Sequence, residues 1–264
     1  MLDHLAPARR RLVLGVVGLL VLATVGVVAV ALLRRDPPVT PVAQDDPGPV
    51  LLVPGYGGST AGLEVLAAAL RNQGREATVV PPEGTGTGDL RAQARGLDRA
   101  VKAALDGGAT SVDVVGYSAG GVVARLWVDE LGGDSVARRV VSLASPQHGT
   151  DLAGLASDLA PDSCPVACRQ LAPDSDLLRE LNAGDETADG PRWVALWTTD
   201  DKTVVPPASG SLEGALEVPL QDLCPGLVLA HGDVPRSATV AALLEALLAG
   251  PEPVSPGSDV CAAT

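Results

Sequence analysis

The sequence predicts an α/β domain built on a mostly parallel central sheet with helices on both faces. Three observations carry that expectation. Apolar runs of strand length alternate with amphipathic stretches of helix length from residue 49 to about residue 249. The runs are apolar throughout rather than at every second residue, the pattern of strands covered on both faces. A chain of 264 residues that is 46% hydrophobic can also fill a core of ordinary size. With no Phe, two Tyr and three Trp, that core must be built from Val, Leu and Ala.

Residues 1–11 form a basic N-terminus with Arg9, Arg10 and Arg11, expected in the cytoplasm. Residues 12–33, LVLGVVGLLVLATVGVVAVALL, hold no charge and only Thr24 as a polar residue. As a helix this run would be about 33 Å long, close to the hydrocarbon thickness of a bilayer. It reads as one N-terminal transmembrane helix, an anchor or uncleaved signal, with more Arg before it than after it. A cleaved signal peptide, with Ala29-Val30-Ala31 as its small-residue site, is the competing reading. Either way the bulk of the chain is expected outside the cytoplasm, on the cell membrane or secreted. Residues 34–48 carry four Pro and no periodicity, and read as a linker.

The folded domain is expected over residues 49–264. PVLLVPG is a buried strand. STAGLEVLAAALRNQG is a helix, with Leu63, Leu66, Ala67 and Leu70 on one face and Gly74 as its stop. ATVVPP is a second strand, and DLRAQARGLDRAVKAALDGG a helix with Leu90, Ala94, Leu97, Val101 and Leu105 at helical spacing. VDVVGY and RRVVSLAS are strands either side of the helix AGGVVARLWVDELGG. RWVALWTTDD and ALEVPLQ follow as strands, and SATVAALLEALLAG closes as a helix. Helices between residues 151 and 190 are expected to wall a pocket.

The formal charge is −13, and the arginines before residue 36 make the remainder still more acidic. Nucleic acid is thereby excluded as a partner, since phosphate binding wants a basic surface. The four cysteines, Cys164, Cys168, Cys224 and Cys261, all follow the apolar run. An even number in an exported domain suggests two disulfides. Three pairings are possible. A local loop through CPVAC would join Cys164 to Cys168 and leave Cys224 for Cys261. A zinc site would need paired CxxC halves or a nearby His, and has neither. No metal and no cofactor is expected, and PEGTGTGD (residues 82–89) lacks the Lys-Ser/Thr of a phosphate cradle; it reads as a loop at the mouth of the site.

The chemistry sits in VDVVGYSAGGVVARLW. Gly116 and Gly120 bracket Ser118 between a strand and a helix, the G-x-S-x-G turn that lifts a serine hydroxyl above the sheet. The helix behind it offers unpaired N–H groups to negative charge. A serine needs a base. Of the three His, His4 precedes the apolar run. His148 follows the next strand too closely to leave room for an acid in the order Ser, acid, His, and reads as a loop His. His231 leaves that room. The acid is Asp200 or Asp201, which nothing local separates.

PVLLVPGYGGS, VVGYSAGGVVAR, SLASPQHGTDLA, TTDDKTVVPP and AHGDVP resemble successive blocks of the small bacterial lipase/esterase family of α/β-hydrolases, over residues 49 to about 249. The resemblance implies the α/β-hydrolase fold, an ester or lipid substrate and a Ser-His-Asp serine hydrolase of the carboxylic ester class. The family's acid is followed two residues later by Val or Ile, which selects Asp201 over Asp200. It also implies an oxyanion hole from the backbone N–H groups of Tyr56 and Ala119, with Pro54 where the family commonly has His. Two other readings keep much of this pattern. One is a cell-envelope acyltransferase or thioesterase with the same triad. The other is a hydrolase-like protein that binds without catalysis.

Overall fold

The computed structural model describes residues 14–26 and 39–262. The chain divides into two units, Met1–Pro38 and Val39–Thr264. In the first, residues 14–26 are helical and exposed; the rest of the 12–33 run, and residues 1–11, lie outside the described residues. Among the described residues no helix is long and apolar enough to cross a membrane.

The second unit is a six-stranded, fully parallel sheet in the order β2-β1-β3-β4-β5-β6. Its strands are β1 (Val50–Val53), β2 (Ala77–Val79), β3 (Val112–Tyr117), β4 (Ala137–Leu143), β5 (Arg192–Trp197) and β6 (Leu216–Pro219). Side chains alternate across each strand, so β1 sends Leu51 and Val53 to one face and Val50 and Leu52 to the other. The first face packs on α2 (Leu90–Asp106) and α3 (Ala119–Leu131) through Leu97, Val101, Val122 and Leu126. The second packs on α1 (Ala61–Asn72) and α8 (Ala238–Ala249) through Leu63, Leu66, Leu243 and Leu247. Each fully buried Leu or Val contributes roughly 1.5–3 kcal/mol of transfer free energy, so two aliphatic layers hold the sheet without Phe.

Between β4 and β5 lie α4 (Asp151–Leu159), α5 (Val166–Gln170) and α6 (Asp176–Leu181). The buried Arg125 of α3 ties this segment down, donating to Leu181 O, Glu186 O and Asn182 Oδ1. Burial lowers its guanidinium to about 10. A short α7 (Leu220–Leu223) follows β6. The disulfides are Cys164–Cys168 and Cys224–Cys261, the local pairing suggested by CPVAC and its complement.

Residues 39–48 have no helix or strand, but they do not run free of the domain. Arg138 donates to Gln44 O and Arg75 to Gly48 O, which fastens this end of the expected linker to the amino end of the sheet.

Candidate active site

The two non-glycine residues with positive φ among the described residues, Ser118 (54°) and Ala144 (48°), lie at the carboxyl ends of the neighbouring strands β3 and β4. Open parallel sheets carry their sites at that end. At Ser118 the chain leaves β3 and enters α3 directly. The turn is so tight that a Cβ on Gly116 would lie 2.3 Å from Gly120 O, and one on Gly120 would lie 2.3 Å from Val53 O. The glycines permit that approach, and the strained backbone presents the Ser118 hydroxyl above the sheet.

His231 Nε2 lies 3.0 Å from Ser118 Oγ, and His231 Nδ1 lies 2.7 Å from Asp201 Oδ2. A carboxylate only accepts, so Nδ1 carries the ring proton and Nε2 accepts from the Ser118 hydroxyl. Asp201 is 2% exposed. Its Oδ1 accepts from the backbone N–H groups of Thr203 and Val204, both at 2.8 Å, which fixes the carboxylate in its plane.

Asp200 does different work. Its Oδ2 accepts from Leu229 N at 3.1 Å and from Gln221 Nε2 at 3.3 Å. Thr198 Oγ1 donates to Leu229 O, and Gln221 Nε2 donates to Thr198 Oγ1 and Leu227 O. Three side chains thus hold the loop that delivers His231. The Tyr117 hydroxyl closes the arrangement by donating to His231 O at 2.9 Å. Burial, then the charge of Asp201, raises that hydroxyl to about 12, so it remains a donor. Tyr117, Thr198 and Gln221 were not singled out by sequence. The adjacency of Tyr117 to Ser118 was the one available signal.

The loop after β1 lies against the serine: a Cβ on Gly55 would be 2.8 Å from Ser118 Cβ. Among the described residues, neither Tyr56 N–H nor Ala119 N–H donates a hydrogen bond. The glycine-rich residues 82–89 brace this loop, Gly57 N donating to Gly86 O at 3.1 Å. His148 stands apart from Ser118, with Nε2 2.7 Å from Glu186 Oε1. No group of three or more metal-type ligands occurs among the described residues.

Two cavities of about 310 Å³ each meet at Ser118, Tyr56 and Thr203. One is apolar, lined by Pro146, Leu152, Ala153, Ala156, Leu171 and Val204. The other holds His231, Tyr117, Ser59 and Arg236. The helix α4 walls the first cavity, as expected of the 151–190 segment.

A parallel sheet with a serine at the strand–turn–helix of β3 and α3 defines an α/β-hydrolase fold. Residues 92–215 match the family described as Lipase (class 2). Among solved structures, lipase B of Aspergillus fumigatus superposes with a TM-score of 0.70 at 19% identity, over 84% of this chain and 58% of that one. The mature form of lipase BlEst2 from Bacillus licheniformis gives 0.56 at 16% identity, over 69% and 85%. The lin2722 gene product of Listeria innocua gives 0.53 at 17%, over 76% and 93%. This chain thus spans 58% of the length of the fungal lipase. A search of curated proteins found no match. The chain has the α/β-hydrolase fold, and residues 92–215 are similar to the class 2 lipase family.

Proposed function

We propose that this chain is a serine hydrolase that cleaves carboxylic, lipid-type esters through Ser118, His231 and Asp201. The observation that carries the reading is the unbroken path from Ser118 Oγ through His231 to the buried Asp201, at 3.0 and 2.7 Å. Ser118 Oγ attacks the ester carbonyl carbon as His231 Nε2 takes its proton. Asp201 stabilises the imidazolium. The free N–H groups of Tyr56 and Ala119 receive the tetrahedral oxyanion. Collapse breaks the bond to the alcohol oxygen, and His231 returns the proton to it. Water then repeats both transfers and frees the acid.

The proton donor assigns the cavities. The departing alcohol must lie beside His231, which lines the cavity with Tyr117 and Arg236 and not the one under α4. The acyl chain therefore takes the apolar arm under α4. The two disulfides support a working place outside the cytoplasm, where such bonds persist.

Hydrolysis of p-nitrophenyl esters of increasing chain length, with fluorophosphonate labelling, tests the reading. Wild type should turn over the esters and take the label. Ser118→Ala should lose roughly 10⁵-fold in kcat and all labelling while melting at an unchanged temperature. Labelling that persists without Ser118 would refute the assignment.

A further inference from the structure

We infer that Arg236 makes the leaving-group cavity selective for esters whose alcohol carries an anionic group, a carboxylate or a phosphate. The inference rests on the assignment of Ser118 and His231 above.

Arg236 ends the 3₁₀ turn His231–Arg236, and its side chain folds back along that turn. Its Nη1 donates to Gly232 O at 2.9 Å, one residue from His231. The same nitrogen lies 3.3 Å from where a Cβ on Gly62 would sit, at the start of α1. These two contacts set the guanidinium on the wall of the cavity that holds the proton donor. It is the one Lys or Arg lining either cavity at Ser118 among the described residues; the apolar arm has no charged lining residue at all.

Its charge is also unclaimed. Arg71, Arg75, Arg91, Arg95, Arg99, Arg138, Arg179 and Arg192 each have a carboxylate within 4.0 Å. Arg236 has none among the described residues, although the chain carries 32 Asp and Glu. Asp233 in the same turn forms no ion pair with it. Among the described residues its guanidinium donates only through Nη1, to Gly232 O, which leaves Nε and Nη2 without a protein acceptor there. A guanidinium presents a planar fork that matches two oxygens of a carboxylate or phosphate. The net charge of −13 disfavours the approach of any anion, so an anionic alcohol needs a local cation to be held. Arg236 supplies one on the side where the alcohol leaves.

The test uses three butanoate esters with alcohols of similar size: a neutral diol, a hydroxycarboxylate and a phosphorylated diol. Wild type should prefer at least one anionic ester, with the preference expressed in KM and weakening as salt rises. In R236Q the anionic-to-neutral ratio of kcat/KM should fall about tenfold for a lost charge-assisted contact. R236K should recover part of it. Whichever anionic ester loses more identifies the group recognised. Retained fluorophosphonate labelling and an unchanged melting temperature show that R236Q is folded. An unchanged ratio in R236Q overturns the inference. Absence of turnover and labelling in wild type would instead remove the serine-hydrolase reading beneath it.

Discussion

The two ends of the sheet each bury a carboxylate among strong hydrogen-bonding groups, yet they are built for different ends. At the amino end, Asp113 is fully buried and faces Arg138 and Arg75, with contacts of 2.9, 2.5 and 2.6 Å. Arg138 and Arg139 then donate to the carbonyls of Leu247, Leu248, Gly250 and Pro251 at the end of α8, where a helix favours cations. Burial, and then the neighbouring Arg138, lower the Arg139 guanidinium to about 10. A cavity of about 660 Å³ opens close by, larger than either cavity at Ser118, but no Cys, His or Tyr lines it. Both oxygens of Asp113 are taken by cations. At the carboxyl end, one oxygen of Asp201 is taken by two amides, and the other begins a chain of hydrogen bonds that ends on a hydroxyl facing open space. A buried charge marks a reactive site where its network stops at a group with somewhere to deliver a proton. Where every partner is saturated, the same ingredients are structural.

The sharpest break in that contrast comes from the adjacent acids. Asp201→Asn should cost roughly 10³–10⁴-fold in kcat, because the amide cannot hold the imidazolium or keep the same tautomer. Asp200→Asn keeps an oxygen for Leu229 N and should cost about tenfold at most, through looser placement of His231. A larger loss at Asp200 would mean that the buried acid is not the one that matters.

The amino end should respond in stability alone. Arg138→Met leaves Asp113 partly uncompensated, and breaking such a pair costs about 3–5 kcal/mol. For a domain of this size the melting temperature should fall by roughly 10 °C, while kcat of the folded protein for the proposed ester hydrolysis at 25 °C stays within about twofold. A loss of kcat without a loss of stability would erase the distinction between the ends.

Much of the carboxyl end could be read from sequence because its constraints are local. The six strands announce themselves by apolar runs, and Gly116 and Gly120 flag a turn that tolerates no side chain. Asp200 and Asp201 could not be separated by residue type or position, since both follow β5. What separates them is direction: Asp201 turns back to cap Thr203 and Val204, and Asp200 turns to Leu229, 29 residues away. The roles of Tyr117, Thr198 and Gln221 depend on partners 114, 31 and 23 residues distant, and no periodicity carries that. The docking of residues 39–48 was hidden for the same reason, because it rests on carbonyls met by Arg75 and Arg138. A Pro-rich stretch looks equally extended whether it is free or fastened.

The smallest effect probes how the His231 loop is held. Tyr117→Phe removes only the hydroxyl that donates to His231 O and keeps the ring, whose centroid lies 5.2 Å from the imidazole. A hydrogen bond of this kind contributes about 0.5–1.5 kcal/mol net, and its loss leaves the His231 carbonyl without that donor. Stability should therefore drop by about 1 kcal/mol. If the bond also sets the height of the ring over Ser118, kcat should fall about threefold to tenfold, with KM for a neutral ester nearly constant. The split matters because Tyr117 lines the leaving-group cavity as well. A rise in KM with kcat intact would show that the side chain serves the substrate rather than the histidine. That result would leave Thr198, Asp200 and Gln221 as the groups that place the base.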